Sequence, residues 1–161
     1  MMTHGPPYAN LDRTVRGDLV GCPHLLRAVM RARPLVHCFG HIHEAHGAQR
    51  IVWGPGVEAA ARNPSTTIKE FRKSWADEIA ADGITALARC PKVARTERCA
   101  RVDVSAETGS RPIQRGRETL LVNAAVMDEG NRPVNAPWLV VLDLPRARRT
   151  DSETETETGT A

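Results

Sequence analysis

The chain is 161 residues long, 41% hydrophobic but only 4% aromatic, with eleven prolines and twelve glycines, so the expectation is one domain with a modest core and ragged parts. Its formal net charge of +3 is mild and its arginines are scattered among acids, which argues against a nucleic-acid interface. No apolar run approaches a membrane span, and no basic stretch leads into an apolar core at the start, which reads as a soluble, unsecreted, cytoplasmic protein.

In chain order, Met1 to His4 read as the end of a strand, closed by the Gly5-Pro6-Pro7 turn. Cys22-Pro23 opens a helix with proline at its first position; Leu25, Leu26, Val29 and Met30 form its apolar face, and Arg31 and Arg33 suit its C-terminal end. Leu35 to Phe39 is a short strand, and Arg50 to Trp53 is predicted to be the next, the two forming a hairpin around a turn over Glu44 to Gly47. Thr67-Ile68-Lys69-Glu70 has the form of a capping box, and Ile68, Phe71, Trp75 and Ile79 recur at helical spacing, giving a core-packing helix over about 66–82 that ends at Asp82-Gly83. Residues 84–117 sustain no period and read as a loop or disordered insertion. Thr119 to Ala125 and Trp138 to Leu144 are β-rich runs expected to pair with each other, and 146–161 reads as a disordered tail, of low complexity from Thr150. Cys22, Cys38, Cys90 and Cys99 form no C-x-x-C pair and read as reduced thiols.

The most informative stretch is His37-Cys38-Phe39-Gly40-His41-Ile42-His43-Glu44, read together with Met2-Thr3-His4-Gly5-Pro6-Pro7. Two histidines spaced i, i+2 at a Gly-containing strand end can bring two imidazoles to one metal centre, and His4 closes a similar short run. These residues resemble the last two metal-binding motifs of the calcineurin-like metallophosphoesterases, an isolated His followed by Gly-His-x-His. The closer likeness is to the brain-type metallophosphoesterase-domain subgroup. It extends through Gly21-Cys22-Pro23-His24-Leu25-Leu26 and resumes at Leu121-Val122-Asn123-Ala124-Ala125 and at Pro137-Trp138-Leu139-Val140-Val141-Leu142-Asp143-Leu144-Pro145. Residues 1–53 and 118–145 are thus covered, with 54–117 as an insertion.

The resemblance implies an α/β fold of four layers, a β-sandwich flanked by helices, of which this chain would form the C-terminal half. It implies hydrolysis of a phosphoester by water activated at a two-metal centre, with manganese, iron or zinc as the divalent ions that suit mixed nitrogen and oxygen ligands. Carried over residue by residue, His4 and His41 would bind the second metal and His43 the first. The family's earlier motifs, Asp-x-His, Gly-Asp-x-x-Asp and Gly-Asn-His, do not occur in these 161 residues, so the chain is expected to be inactive alone, as a truncated domain. The competing expectation is a non-catalytic remnant or interaction module, whose exposed sheet edges another chain would cover. His24, His37 and His46 read as ordinary side chains and Asn123 as a hydrogen-bonding amide. Gly5 and Gly40, through positive φ, and Pro6 and Pro7, through fixed φ, are expected to shape the two histidine-bearing turns.

Overall fold

The computed structural model describes residues 1–54, 63, 66–75, 84–88 and 99–144. The predicted end of the second helix beyond Trp75, with Ile79, Asp82 and Gly83, lies outside the described residues, as do Cys90 and the 146–161 tail. Among the described residues no helix is long and apolar enough to cross a membrane.

Helix α1 spans Pro23–Ala32. Proline at its first turn costs no hydrogen bond, because that N–H would have no partner anyway. The Cys22 side chain accepts from the Leu25 N–H, and Arg33 ends the helix in the left-handed region at φ +43°. Leu26, Val29 and Met30 are buried on one face. Helix α2, Ile68–Ser74, starts at the predicted capping box: the Thr67 hydroxyl accepts from the Glu70 N–H while the Glu70 carboxylate accepts from the Thr67 N–H. Phe71 and Trp75 point from α2 into the same cluster as the face of α1, and the Arg27 guanidinium lies 4.5 Å over the Phe71 ring.

Among the described residues six strands form two sheets. They are β1 (Val36–Phe39), β2 (Gly47–Val52), β3 (Ile84–Ala88), β4 (Ala100–Asp103), β5 (Glu118–Asn123) and β6 (Trp138–Val141). The larger sheet has the order β1-β5-β2-β3; β4 and β6 make a separate parallel pair. Three expectations are corrected here. First, β1 and β2 are not a hairpin, because β5 lies between them, parallel to β1 and antiparallel to β2. Second, β5 and β6 do not pair with each other. Third, 84–117 is not simply loop, since Ile84–Ala88 extends the sheet beside β2 and Ala100–Asp103 pairs with β6. The physical reason is common to the first two. All six residues of β5 are buried, and a strand that needs cover on both faces takes the centre of a sheet. The β4 strand alternates buried Ala100 and Val102 with exposed Arg101, a period-2 signal too short to stand out among its charged neighbours.

Side chains alternate across β5 accordingly. Leu121 faces the helices with Phe39, Ile51 and Trp53, whereas Leu120 and Val122 face the smaller sheet with Val102, Val104 and Trp138. The fold of the described residues is therefore mixed α/β: a helical layer, a four-stranded sheet, and a two-stranded sheet behind it. One charged group is built into the sheet. Arg50 and Glu118, both almost fully buried, meet at 3.2 Å, and Arg111 Nη2 also donates to the Glu118 carboxylate, at 2.6 Å. Arg50 further donates to the Arg111 and Pro112 carbonyls, strapping the 111–117 loop to β2.

Candidate functional site

The first four residues run beside β1 on the side away from β5. Cys38 N donates to Met1 O, Thr3 N to Cys38 O, and Gly40 N to His4 O. This parallel pairing carries His4 and His41, 37 positions apart in the chain, to the same end of the sheet. There His4 Nε2 and His41 Nδ1 face each other at 3.2 Å, with ring centroids 4.8 Å apart. Both rings are exposed. The structure thus brings two of the three predicted ligands together, and the pairing depends on no long side-chain excursion.

His41 has φ +74°, and the Ile42 N–H donates back to the Gly40 carbonyl, closing a three-residue turn around it. A non-glycine residue in that conformation costs on the order of 1–3 kcal/mol and persists where its surroundings hold it. The positive φ expected of Gly5 and Gly40 falls instead on His41, and neither glycine has a positive φ. The strain sits on the residue that carries the imidazole.

His43 begins the short 3-10 turn His43–Ala45 and is half-buried. Its Nδ1 lies 2.9 Å from the Asp128 carbonyl oxygen. A carbonyl only accepts, so the His43 proton is on Nδ1 and its Nε2 lone pair is the free one. Among the described residues no three side chains of His, Cys, Asp or Glu come together so as to hold a metal ion.

Two of the other histidines, His37 and His46, are structural. His37 is fully buried, with Nε2 2.8 Å from the Thr3 hydroxyl, which itself donates to the Gly5 carbonyl. His37 must therefore be the donor, leaving Nδ1 buried with no partner. Burial, helped by the Met1 ammonium, pushes its pKa down to about 4, so the ring is neutral at physiological pH. His46, expected in a turn, is buried instead: it donates to the Ala136 carbonyl and stacks on Trp138 at 5.3 Å, and burial lowers its pKa. His24 is exposed on α1. Asn123, fully buried, ties Leu11 O and Ile42 O to the end of β5 and accepts from the Ala125 N–H, which fills its hydrogen-bonding capacity within the fold. It secures the backbone beside the His41 turn.

A cavity of about 410 Å³ adjoins the 3-10 turn, lined among others by Leu11, Asp12, Thr14, Glu44, Gln49 and Glu129. Asp12 is buried there, and desolvation raises its pKa although the Gly21 and Ala9 N–H groups donate to it. Reasoning from the sequence did not single out Asp128, whose carbonyl orients His43. Its signal was present as Asp128-Glu129-Gly130-Asn131-Arg132, a turn-forming composition.

Three similarities to known proteins cover the chain in part. It is 47% identical over 49 residues to metallophosphoesterase domain-containing protein 1 of Homo sapiens, 29% of this chain and 15% of that protein. It is 46% identical over 48 residues to a UPF0046 protein of Caenorhabditis elegans, 29% of this chain and 12% of the relative. It is also 47% identical over 55 residues to a probable rhamnogalacturonate lyase C of Emericella nidulans, 33% of this chain and 5% of that protein. The chain therefore spans less than a fifth of the length of each of these relatives. No family model matches it. No solved structure matches it.

Proposed function

We propose that this chain carries part of a metal-dependent phosphoester hydrolase site, built on a portion of the four-layered α/β frame of the calcineurin-like phosphoesterases. In this reading His4 and His41 bind one divalent ion and His43 a second, with manganese, iron or zinc as the ions. The observation that supports it best is the 3.2 Å approach of His4 Nε2 to His41 Nδ1. Metal–nitrogen bonds of about 2.0–2.1 Å in a tetrahedral site set two imidazole nitrogens at about 3.3 Å, so the pair has the dimension of one edge of such a site. The strained turn at His41 and the partial likeness to a protein named for a metallophosphoesterase domain support the same reading.

The residues at hand do not close a coordination set, because a protein zinc site takes three or four ligands and the described residues bring only two imidazoles together. No hydrolytic step is therefore assigned to this chain alone. Completion requires carboxylate ligands from outside the described residues, and the phosphoester would be the substrate of the completed site. The second reading, an interaction module without catalysis, draws on the same incompleteness and on the exposed Leu139 and Leu144 beside the small sheet, where another chain would pack.

The test is calorimetric titration of the purified chain with Mn²⁺ and Zn²⁺, alongside hydrolysis of bis(p-nitrophenyl) phosphate. Weak binding that disappears in both His4→Ala and His41→Ala, with no turnover, is expected. Binding or hydrolysis that survives His41→Ala would sink the ligand assignment, and no binding at all would favour the interaction module.

A further inference from the structure

We propose that Asp128 is a positioning residue for His43: its carboxylate folds the surface turn whose carbonyl holds the His43 proton on Nδ1 and presents the Nε2 lone pair. The geometry is complete at every link. Oδ1 accepts from the Gly130 N–H at 2.8 Å and from the Arg132 N–H at 2.9 Å, while Oδ2 takes the Arg132 guanidinium at 2.9 and 2.7 Å. Asp128 N donates to Arg132 O, and Asn131, at φ +57°, donates its N–H to the Asp128 carbonyl at 3.0 Å. One lone pair of that carbonyl is thus used to close the turn. The second receives His43 Nδ1–H from 85 positions away.

The side chain and the carbonyl of one residue therefore act in series. The carboxylate fixes the turn, the turn aims the carbonyl, and the carbonyl selects the imidazole tautomer. A neutral imidazole can otherwise carry its proton on either nitrogen, and a proton on Nε2 would block that atom as a ligand. The Arg132 partner and the backbone donors also hold the Asp128 carboxyl below the usual carboxylate range, so the device is charged and intact at neutral pH. The Arg132 side chain is 76% exposed, so the turn can be altered without opening the core.

The experiment is long-range ¹H–¹⁵N correlation of the imidazole nitrogens in the full chain labelled at histidine, with His43 assigned by loss of its signals in His43→Gln. The parent is expected to show His43 protonated on Nδ1. Asp128→Ala should shift it towards the Nε2–H tautomer, and Asp128→Asn, whose amide oxygen can still accept from Gly130 and Arg132, should restore the parent state. Unfolding midpoints should agree among the three, as a purely structural role would not predict alongside a tautomer change. An unchanged tautomer in Asp128→Ala, or failure of Asp128→Asn to restore it, overturns the proposal. A companion Zn²⁺ titration rests on the phosphoesterase reading and reports the His4–His41 pair, so its affinity should be unchanged in Asp128→Ala, because His43 is assigned to the other ion. Should the parent bind no metal, that reading fails while the tautomer measurement still decides the role of Asp128.

Discussion

The four-stranded sheet buries every residue of its inner strand β5, whereas β6 in the two-stranded sheet has no fully buried residue and leaves Leu139 49% exposed. Both strands are apolar in sequence, Leu120-Leu121-Val122 in one and Leu139-Val140-Val141 in the other. The difference lies in their neighbours. β5 has a hydrogen-bonded strand on each side and a packed layer on each face, while β6 pairs with β4 and turns part of its surface outward. Equal hydrophobicity in the sequence thus ends in unequal structural weight, because burial depends on how many layers converge on a strand. The candidate site belongs to the heavier region: His41 follows β1, and Asn123 at the end of β5 braces the Ile42 carbonyl.

The contrast is broken most severely at Glu118. Glu118→Leu leaves the almost fully buried Arg50 without its carboxylate, and urea unfolding should show a loss of about 3–5 kcal/mol. A loss below about 1 kcal/mol would mean that the arginine finds water and that the sheet is looser than its burial implies. Next, Leu121→Ala in β5 should cost about 2–5 kcal/mol, since the side chain is fully enclosed between β5 and the helices.

Acid sharpens the comparison from another direction. The folded-state pKa of His37, at about 4, lies below its ordinary 6.5, so the unfolded chain binds the extra proton in that window. The stabilisation from keeping the ring neutral is present above pH 6.5 and is lost as the pH falls from there towards 4. The loss should reach roughly 2–3 kcal/mol, read as the difference in pH dependence between the parent and His37→Gln. His46, also lowered by burial, acts with the same sign. Urea midpoints as a function of pH that coincide for the parent and His37→Gln would show that His37 is not the group responsible. The smallest effect belongs to the lighter sheet: Leu139→Ala should stay within about 0.5 kcal/mol, and a loss approaching that of Leu121→Ala would mean that a partner, such as a second copy, covers β6 in solution.

Much of the local structure was legible. The proline-led start of α1, the capping box of α2 and the apolar runs of β1, β5 and β6 follow from residue types at short spacing, where caps, turn residues and periodicity act within a few positions. The β3 and β4 strands were not, because five and four residues in a variable, charged neighbourhood give too little alternation to separate from loop. At the site, the two motifs pointed to His4, His41 and His43, yet they held nothing about Asp128, whose part is played by a backbone carbonyl that any residue possesses.

By itself, then, the sequence determined where the chain turns, which helix faces are apolar and which histidines stand at strand ends, since these are set by φ/ψ preferences and side-chain chemistry within a few residues. Only the tertiary structure decided that β5 separates β1 from β2, that His4 meets His41, and that His43 is oriented from Asp128. Those contacts join residues 37 and 85 positions apart, and such pairings are chosen by the burial of whole strand faces against chain entropy, a balance that no local pattern contains.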